Sequence, residues 1–257
     1  MDIGSLLDKA HVVILWQTPQ AVIEEVQPYL FRTRSFFTPL IDLALPEDQL
    51  WQALEPKSCR YEIRKAQKME CTVLRNEETD VARDLINESI RRLRYRAELG
   101  EEEWNALLPN HDIFLCKWQG TPVAAHVMLL DRPHRARLLL SGSADRSDPN
   151  LRNVVGPANR LLHWSELQAY KAEGMEVYDF GGCDTDKKSP EYSITQFKLS
   201  FGAKVVEEPM LFLAGNPSLR LLLRCHSGIR AALKSVPWPK RWKEMVRTHP
   251  RIASLFR

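Results

Sequence analysis

The stretch Val177–Gly202, reading VYDFGGCDTDKKSPEYSITQFKLSFG, constrains the fold of this chain more than any other. A short apolar run, Val177–Phe180, is closed by Gly181 and Gly182. A polar loop follows, then a helix-like segment carrying Phe197, Lys198 and Phe201. The period of two in a strand sets Val177 and Asp179 on one face, Tyr178 and Phe180 on the other. Asp179 is thus a carboxylate inside an apolar strand, beside a glycine pair that lets a ligand approach the backbone. Two roles are open to it: capping the following loop, or doing chemistry. Cys183, next along, reads as a structural or incidental thiol.

Around this stretch strands and helices alternate. Val12–Trp16 and Ser35–Leu45 read as strands, and Pro46 and Glu47 open a short helix through Leu54. Lys57–Met69 reads as a helix with Cys59, Ile63 and Ala66 as its buried stripe. Lys57, Arg60, Arg64 and Lys68 share another face, where four cations repel unless solvated or met by an anion. Cys71–Leu74 is a strand, and Asn76–Asp80 starts a long amphipathic helix reaching Tyr95. Ile113–Trp118, Val123–Leu130 and Ala136–Ala144 have tight connections and form an antiparallel meander. His126 interrupts its middle strand, either as a satisfied core residue or as a group that meets a ligand.

A polar loop over residues 145–156 precedes a helix from Pro157 to Ala172, where proline's missing N–H costs nothing. Ala158, Leu161, Leu162, Ser165 and Ala169 form its buried face. Helical periodicity then leaves His163, Asn159 and Glu166 on an exposed polar face. Beyond Val177–Gly202, Ala203–Leu213 is a last strand, and Ser218–Val236 is a basic helix. The segment Ile194, Phe197, Phe201 reads as an apolar stripe with Lys198 beside it.

Composition bounds the class. A chain of 257 residues, 44% hydrophobic and 27% charged, buries a substantial core as a soluble globular protein. No stretch is long enough to span a bilayer, and the start MDIGSLLDKAHVVILW lacks the cleavage site of a signal peptide. Five cysteines with no paired spacing and no histidine at metal spacing read as reduced thiols of a cytoplasmic protein without a metal. The net charge of +3 conceals an asymmetry. Residues 215–257 carry ten Lys/Arg against Glu244 alone, and the remainder is acidic. In that tail Leu219, Leu222, Leu223, Ile229 and Leu233 alternate with Arg220, Arg224, Arg230 and Lys234, ahead of Trp238 and Trp242. Contact with an anionic membrane through 218–247, tRNA binding and packing on the body are all open to it.

Three stretches in this order carry a resemblance: Trp51–Val73, Gly156–Gly182 and the run from DFGG to FKLSFGAKVVE. Together they resemble the FemAB-like acyltransferases of the peptidoglycan-bridge type, a branch of the GNAT superfamily, over roughly residues 35–210. The resemblance implies an α/β (α+β) fold: a GNAT-like mixed, mostly antiparallel central sheet flanked by helices, ending in the basic helical tail. Residues 1–56 would pack on an acyltransferase core at 57–214, with the tail at 215–257.

By the same resemblance, the strand ending at Ala144 and the strand at Val177–Phe180 splay apart to admit the acyl donor. Its carbonyl would meet backbone N–H groups at Ser141, Gly142 and Ser143, because acyl transfer builds charge on that oxygen. Members that use acyl-CoA carry Arg/Gln-x-x-Gly-x-Gly/Ala before the next helix. Here the register is Asn153-Val-Val-Gly156-Pro-Ala158, with Asn in place of Arg/Gln and Pro157 removing one N–H. Arg146, Arg152 and Arg160 lie near to supply charge. Relatives that use aminoacyl-tRNA have an aromatic–Lys pair like Phe197-Lys198 at the donor. The donor is therefore acyl-CoA or, as alternative, aminoacyl-tRNA.

The function implied is N-acyl transfer to an amine of a cell-envelope precursor, such as an amino sugar or peptide, as a small or lipid-linked acceptor. The expected catalytic groups are Asp179 as base or amine-orienting group, Lys198 for the anion and Tyr192 as proton donor. Arg60, Arg64 and Lys65, with His126 and Asp184, would hold the acceptor. A catalytically silent GNAT-like binding module is the alternative.

Overall fold

The computed structural model describes residues 3–16, 18 and 20–224. Its eight strands form a mostly antiparallel sheet with helices flanking it, in the mixed α/β class expected. Two compact units divide the described residues: 37–206, and the terminal segments, those up to 36 with 207–224.

The terminal unit contains helices α1 (Ile3–Lys9) and α2 (Gln20–Val26) and strand β1 (Val13–Trp16). It also holds the first half of β2 (Leu30–Asp42) and most of the last strand, Lys204–Leu213. β1 runs antiparallel to that last strand, with Val13 opposite Leu213. Ile3, Val26, Leu211 and Leu213 form its small core. Residues 217–224 open a helix whose first turn is capped by the Asn216 carbonyl Oδ1, which accepts the N–H groups of Ser218 and Leu219. Most of the expected basic helix, and all but its beginning of the tail, lies outside the described residues.

Residues 37–206 hold the larger core. After the second half of β2 come α3 (Glu47–Ala53), a π-helical turn at Pro56–Arg60, α4 (Tyr61–Lys68) and β3 (Thr72–Arg75). Then follow α5 (Thr79–Leu93), α6 (Glu101–Leu107) and the meander β4 (His111–Trp118), β5 (Thr121–Asp131) and β6 (Arg135–Ser143). The unit continues with α7 (Val155–Ala172), β7 (Val177–Asp179) and α8 (Tyr192–Leu199), before the chain enters β8 (Lys204–Leu213). Within it the strands are ordered β2-β7-β6-β5-β4-β3. The meander is where the alternation placed it, a few residues longer at its ends. Helix α7 begins at Val155 rather than Pro157, because a turn over Asp148–Val154 already sets the helical course.

The pattern of inward residues follows the sequence where it is periodic. Cys59, Ile63 and Ala66 are fully buried as expected for the α4 stripe, and pack with Leu161, Leu162 and Trp164 of α7. Ser165 and Ala169 are only half-buried, so the inward face of α7 turns further towards Glu166, Leu167 and Tyr170. Ile194 is 55% exposed and belongs to no core stripe, whereas Phe201 is buried and Phe197 half-buried. On the opposite side of the meander, α5 lies so close to β6 that a Cβ on Gly142 would stand 2.6 Å from the Ile86 Cα. Only glycine fits there.

Candidate active site

The site is set by how β6 and β7 part. They run parallel, paired at Arg135/Val177, Ala136/Tyr178 and Arg137/Asp179, and no further. After Asp179 the chain follows β2 instead: the Phe180 N–H donates to the Pro39 carbonyl and the Cys183 N–H to that of Phe37. β6 continues to Ser143 without a β7 partner, so a wedge opens beyond Arg137. Gly181 stands at its apex with φ of +71°, where an added Cβ would lie 2.9 Å from the Leu138 carbonyl oxygen. This is the splay that the resemblance implied, and glycine is required at its apex for both reasons.

Along β6 the alternation decides which backbone groups face the wedge. The Ala144 N–H donates to the Val123 carbonyl at β5, while the Ser143 N–H turns away and donates to Ser89 Oγ at 3.2 Å. Two residues back, Ser141 shares the orientation of Ser143 and presents its N–H to the wedge. Gly142 points its amide at β5. Of the three expected carbonyl-binding amides, therefore, Ser141 alone is placed to serve. That of Ser143 is occupied by Ser89, and its carbonyl accepts from Arg92.

Asp179 is fully buried and surrounded. Thr38 Oγ1 and the Gly181 N–H (2.8 Å) donate to its Oδ1, and Arg135 Nη1 lies 3.3 Å from its Oδ2. Arg137 Nε stands 4.0 Å away. These contacts occupy both oxygens of the carboxylate, and its bond to Gly181 pins the apex of the wedge. Lys198 is also buried. Its ammonium donates to the carbonyls of Gly182 (2.6 Å) and Gly181 (3.3 Å), and burial holds its pKa below the usual lysine value. Asp179 and Lys198 thus grip the two glycines from opposite ends of the peptide, one by an N–H and the other by two carbonyls.

A second cluster lies on α7 and β5. His126 and His163, expected as an acceptor contact and as a surface residue, are both buried, as is Glu166. Periodicity alone misplaced this face of α7, because these polar groups satisfy one another rather than meeting water. His126 Nδ1 donates to Glu166 Oε1 at 2.7 Å, and its Nε2 lies 2.9 Å from Asn159 Oδ1. Tyr178 donates its hydroxyl proton to Glu166 Oε2 and receives a bond from His163 Nδ1 at 2.7 Å. Rings of Phe180, Phe197 and Phe201 stand 5.0–5.6 Å from that of His163. Burial lowers the His163 pKa to about 4, with His126 beside it acting in the same direction. Burial would raise Glu166, but the charge and hydrogen bond of His126 outweigh it and hold the carboxyl at about 2. The donor atoms of His126, His163 and Glu166 lie within 4.8 Å of one another, yet direct hydrogen bonds take up the space an ion would need.

The remaining expected residues scatter around these clusters. Arg160 lies 4.8 Å over the Phe197 ring, and its buried Nε has no hydrogen-bond partner. Arg60 is in the same condition at Nε, next to the buried Cys59, whose thiol faces Arg160 and is pushed by burial up to about 12. Arg64 stacks on Trp51 instead, at 5.4 Å, and Lys65 is half-buried. Arg152 and Asn153 are exposed. In their loop the N–H groups of Arg152, Val154, Val155 and Ala158 all bond to carbonyls of the loop itself. Tyr192 is half-buried, and Asp184 spends its carboxylate on the Asp186 N–H at 2.8 Å, closing the loop before α8. Asn159, which periodicity set on the polar face with His163 and Glu166 without a role, stands one turn beyond Gly156 and is half-buried.

No protein-family model matches this chain, and no curated protein matches it in sequence. Solved structures do. FemX superposes with a TM-score of 0.63 at 14% identity, covering 86% of this chain and 78% of that one. The C-terminal domain of a lysylphosphatidylglycerol synthetase from Agrobacterium fabrum gives 0.54 at 15%, over 86% and 73%. L-PGS from Bacillus licheniformis gives 0.51 at 13%, over 86% and 74%. At these identities the likeness speaks of fold, and the chain has the FemAB-like fold shared by FemX and these synthetase domains.

Proposed function

We propose that the protein is an N-acyltransferase that binds an acyl donor in the wedge between β6 and β7. The observation that carries this reading is the wedge itself. A parallel pair ends at Arg137/Asp179, and beyond it a strand edge presents the Ser141 N–H to an opening whose apex is a glycine. An amine attacks the acyl carbonyl carbon, the carbonyl electrons move to oxygen, and the Ser141 N–H dipole stabilises the charge formed there. The tetrahedral intermediate then collapses by losing the thiolate or ribose oxygen, which takes up the amine's proton. The fold shared with FemX and with synthetases named for lysylphosphatidylglycerol is in keeping with this chemistry.

Asp179 and Lys198 act here as positioning residues that hold Gly181 and Gly182, rather than as base and anion-binding group. Arg60 and Arg160, with buried Nε atoms lacking partners, favour an anionic part on donor or acceptor. The self-bonded loop before α7 offers few free amides for a pyrophosphate, which favours aminoacyl-tRNA over acyl-CoA as donor. The acceptor is an amine of a cell-envelope precursor, small or lipid-linked. If it is lipid-linked, the basic segment 218–247 docks the protein on the inner, anionic leaflet; no helix among the described residues is long and apolar enough to cross a membrane. The buried commitments of Asp179 and Lys198 are what favours the second reading, a silent binding module.

Incubating the protein with acetyl-CoA or with alanyl-tRNA and a pool of amine acceptors separates the two. Mass spectrometry should find a new amide from one donor class. No amide from either, with neither donor raising the melting temperature, would leave the binding module.

A further inference from the structure

A buried ion pair is costly, and a protein that keeps one gains something from it or loses stability. The His126–Glu166 pair is fully buried, and among the described residues its outward contact is with Asn159. Glu166 is ionised and can only accept, so His126 Nδ1 is a donor. Its Nε2 lies 2.9 Å from Asn159 Oδ1, an acceptor that an N–H on Nε2 would satisfy. In the structure the Asn159 amide turns Oδ1 inward to the imidazole, which leaves Nδ2 turned outward with two N–H groups.

The place of that amide follows from the sheet. His126 stands directly opposite Ser141 across the β5/β6 ladder, so both side chains project from the same face, the one that α7 covers. Gly142, next along, faces α5 on the other side, as its closeness to Ile86 requires. Asn159, 2.9 Å from His126 Nε2, is therefore level with Ser141, the residue whose backbone N–H faces the wedge. It is half-exposed, on the first turns of α7 between Gly156 and the buried network.

We propose that Asn159 is a catalytic residue: its Nδ2–H is the second donor, with the Ser141 N–H, to the oxygen of the acyl carbonyl. The proposal rests on the acyl-transfer reading above. As the amine nitrogen bonds to the carbonyl carbon, the C=O electron pair becomes an alkoxide lone pair, and two fixed dipoles meet it. The C–S or C–O bond to the carrier then breaks, the C=O re-forms, and the leaving group takes the proton shed by the amine. His126 and Glu166 touch no substrate. They are positioning residues: the chain of contacts from Glu166 through His126 holds the Asn159 amide in place, and Tyr178 and His163 complete the bonding of Glu166 from behind.

Two measurements test this. The first needs no substrate: NMR of the ¹⁵N-labelled protein, with the Asn159 side-chain amide assigned by its loss in Asn159→Ala. Its NH₂ should exchange with solvent, and the His126 ring should carry protons on both nitrogens. An Asn159 NH₂ bonded to a bare His126 Nε2 would overturn the proposal. The second is turnover of acetyl-CoA or alanyl-tRNA, whichever the wild type consumes. Asn159→Ala and Asn159→Asp should each lower kcat by about 10²–10³ with KM within a few-fold of wild type. The double variant His126→Gln, Glu166→Gln removes the pair without stranding a charge, and should lower kcat while leaving KM similar. Unchanged kcat in Asn159→Ala would overturn the proposal. Failure of the wild type to consume either donor would contradict the acyl-transfer reading itself, and is seen before any variant is made.

Discussion

His163 shows how far a single residue departs from its helical position. On a helical wheel it belongs with Asn159 and Glu166 on a polar face, and that grouping is right: the three do stand together. Only the exposure of His163 and Glu166 was misread, because the partners that satisfy them, Tyr178 and His126, lie on strands unrelated to the helix by any period. The misreading has a measurable consequence. His163 sits at about 4 against an ordinary 6.5, so between these pH values the unfolded chain binds a proton that the fold does not. Stability therefore rises with pH across that window and is lost on acidification, by ~3 kcal/mol at most. Glu166, held at about 2 against 4.5, adds a loss of the same sign as the pH falls from 4.5 towards 2. Urea midpoints taken from pH 7.5 down to 4.5 should fall in the wild type and fall less steeply in His163→Gln. Equal slopes in the two proteins would show that the imidazole is already charged in the fold.

Elements with a clean period were legible, and those without one were not. The β4–β5–β6 meander and α5 follow apolar spacing closely. The start of β2 was missed because Leu30–Arg34 places Arg32 and Arg34 in the run, and helix α6 because its first turn is three glutamates. The resemblance implies the wedge, but the roles of the two glycines near it need three dimensions. Gly181 has a positive φ and a carbonyl 2.9 Å from where its Cβ would be; Gly142 is pressed against the backbone of α5. Gly142→Ala should cost ~1–3 kcal/mol or more as α5 is pushed off β6, and should disturb Ser141 beside it. Gly181→Ala should destabilise by about 1 kcal/mol or more through its left-handed backbone. It should reduce donor turnover more than its melting temperature would explain. A Gly181→Ala protein with wild-type stability and turnover would remove the apex from the account.

At the scale of the whole molecule, the order of elements was readable. Among the described residues, those up to 36 and those from 207 to 224 cluster as one unit although they lie far apart in the sequence. The family resemblance ran over the continuous middle, and that is where the wedge, Asp179, Lys198 and the His126–Glu166 pair are found. Where it implied chemistry at Asp179 and Lys198, the structure shows both side chains holding the glycines, and the proposed acyl transfer assigns the reacting oxygen to Ser141 and Asn159. Everything then depends on a donor entering between β6 and β7. Hydrogen–deuterium exchange read by mass spectrometry, with and without saturating acyl donor, tests this most directly. The account expects slowed exchange in peptides covering 138–143 and 181–184. A donor that binds and is consumed, yet leaves exchange in both peptides unchanged, would contradict it.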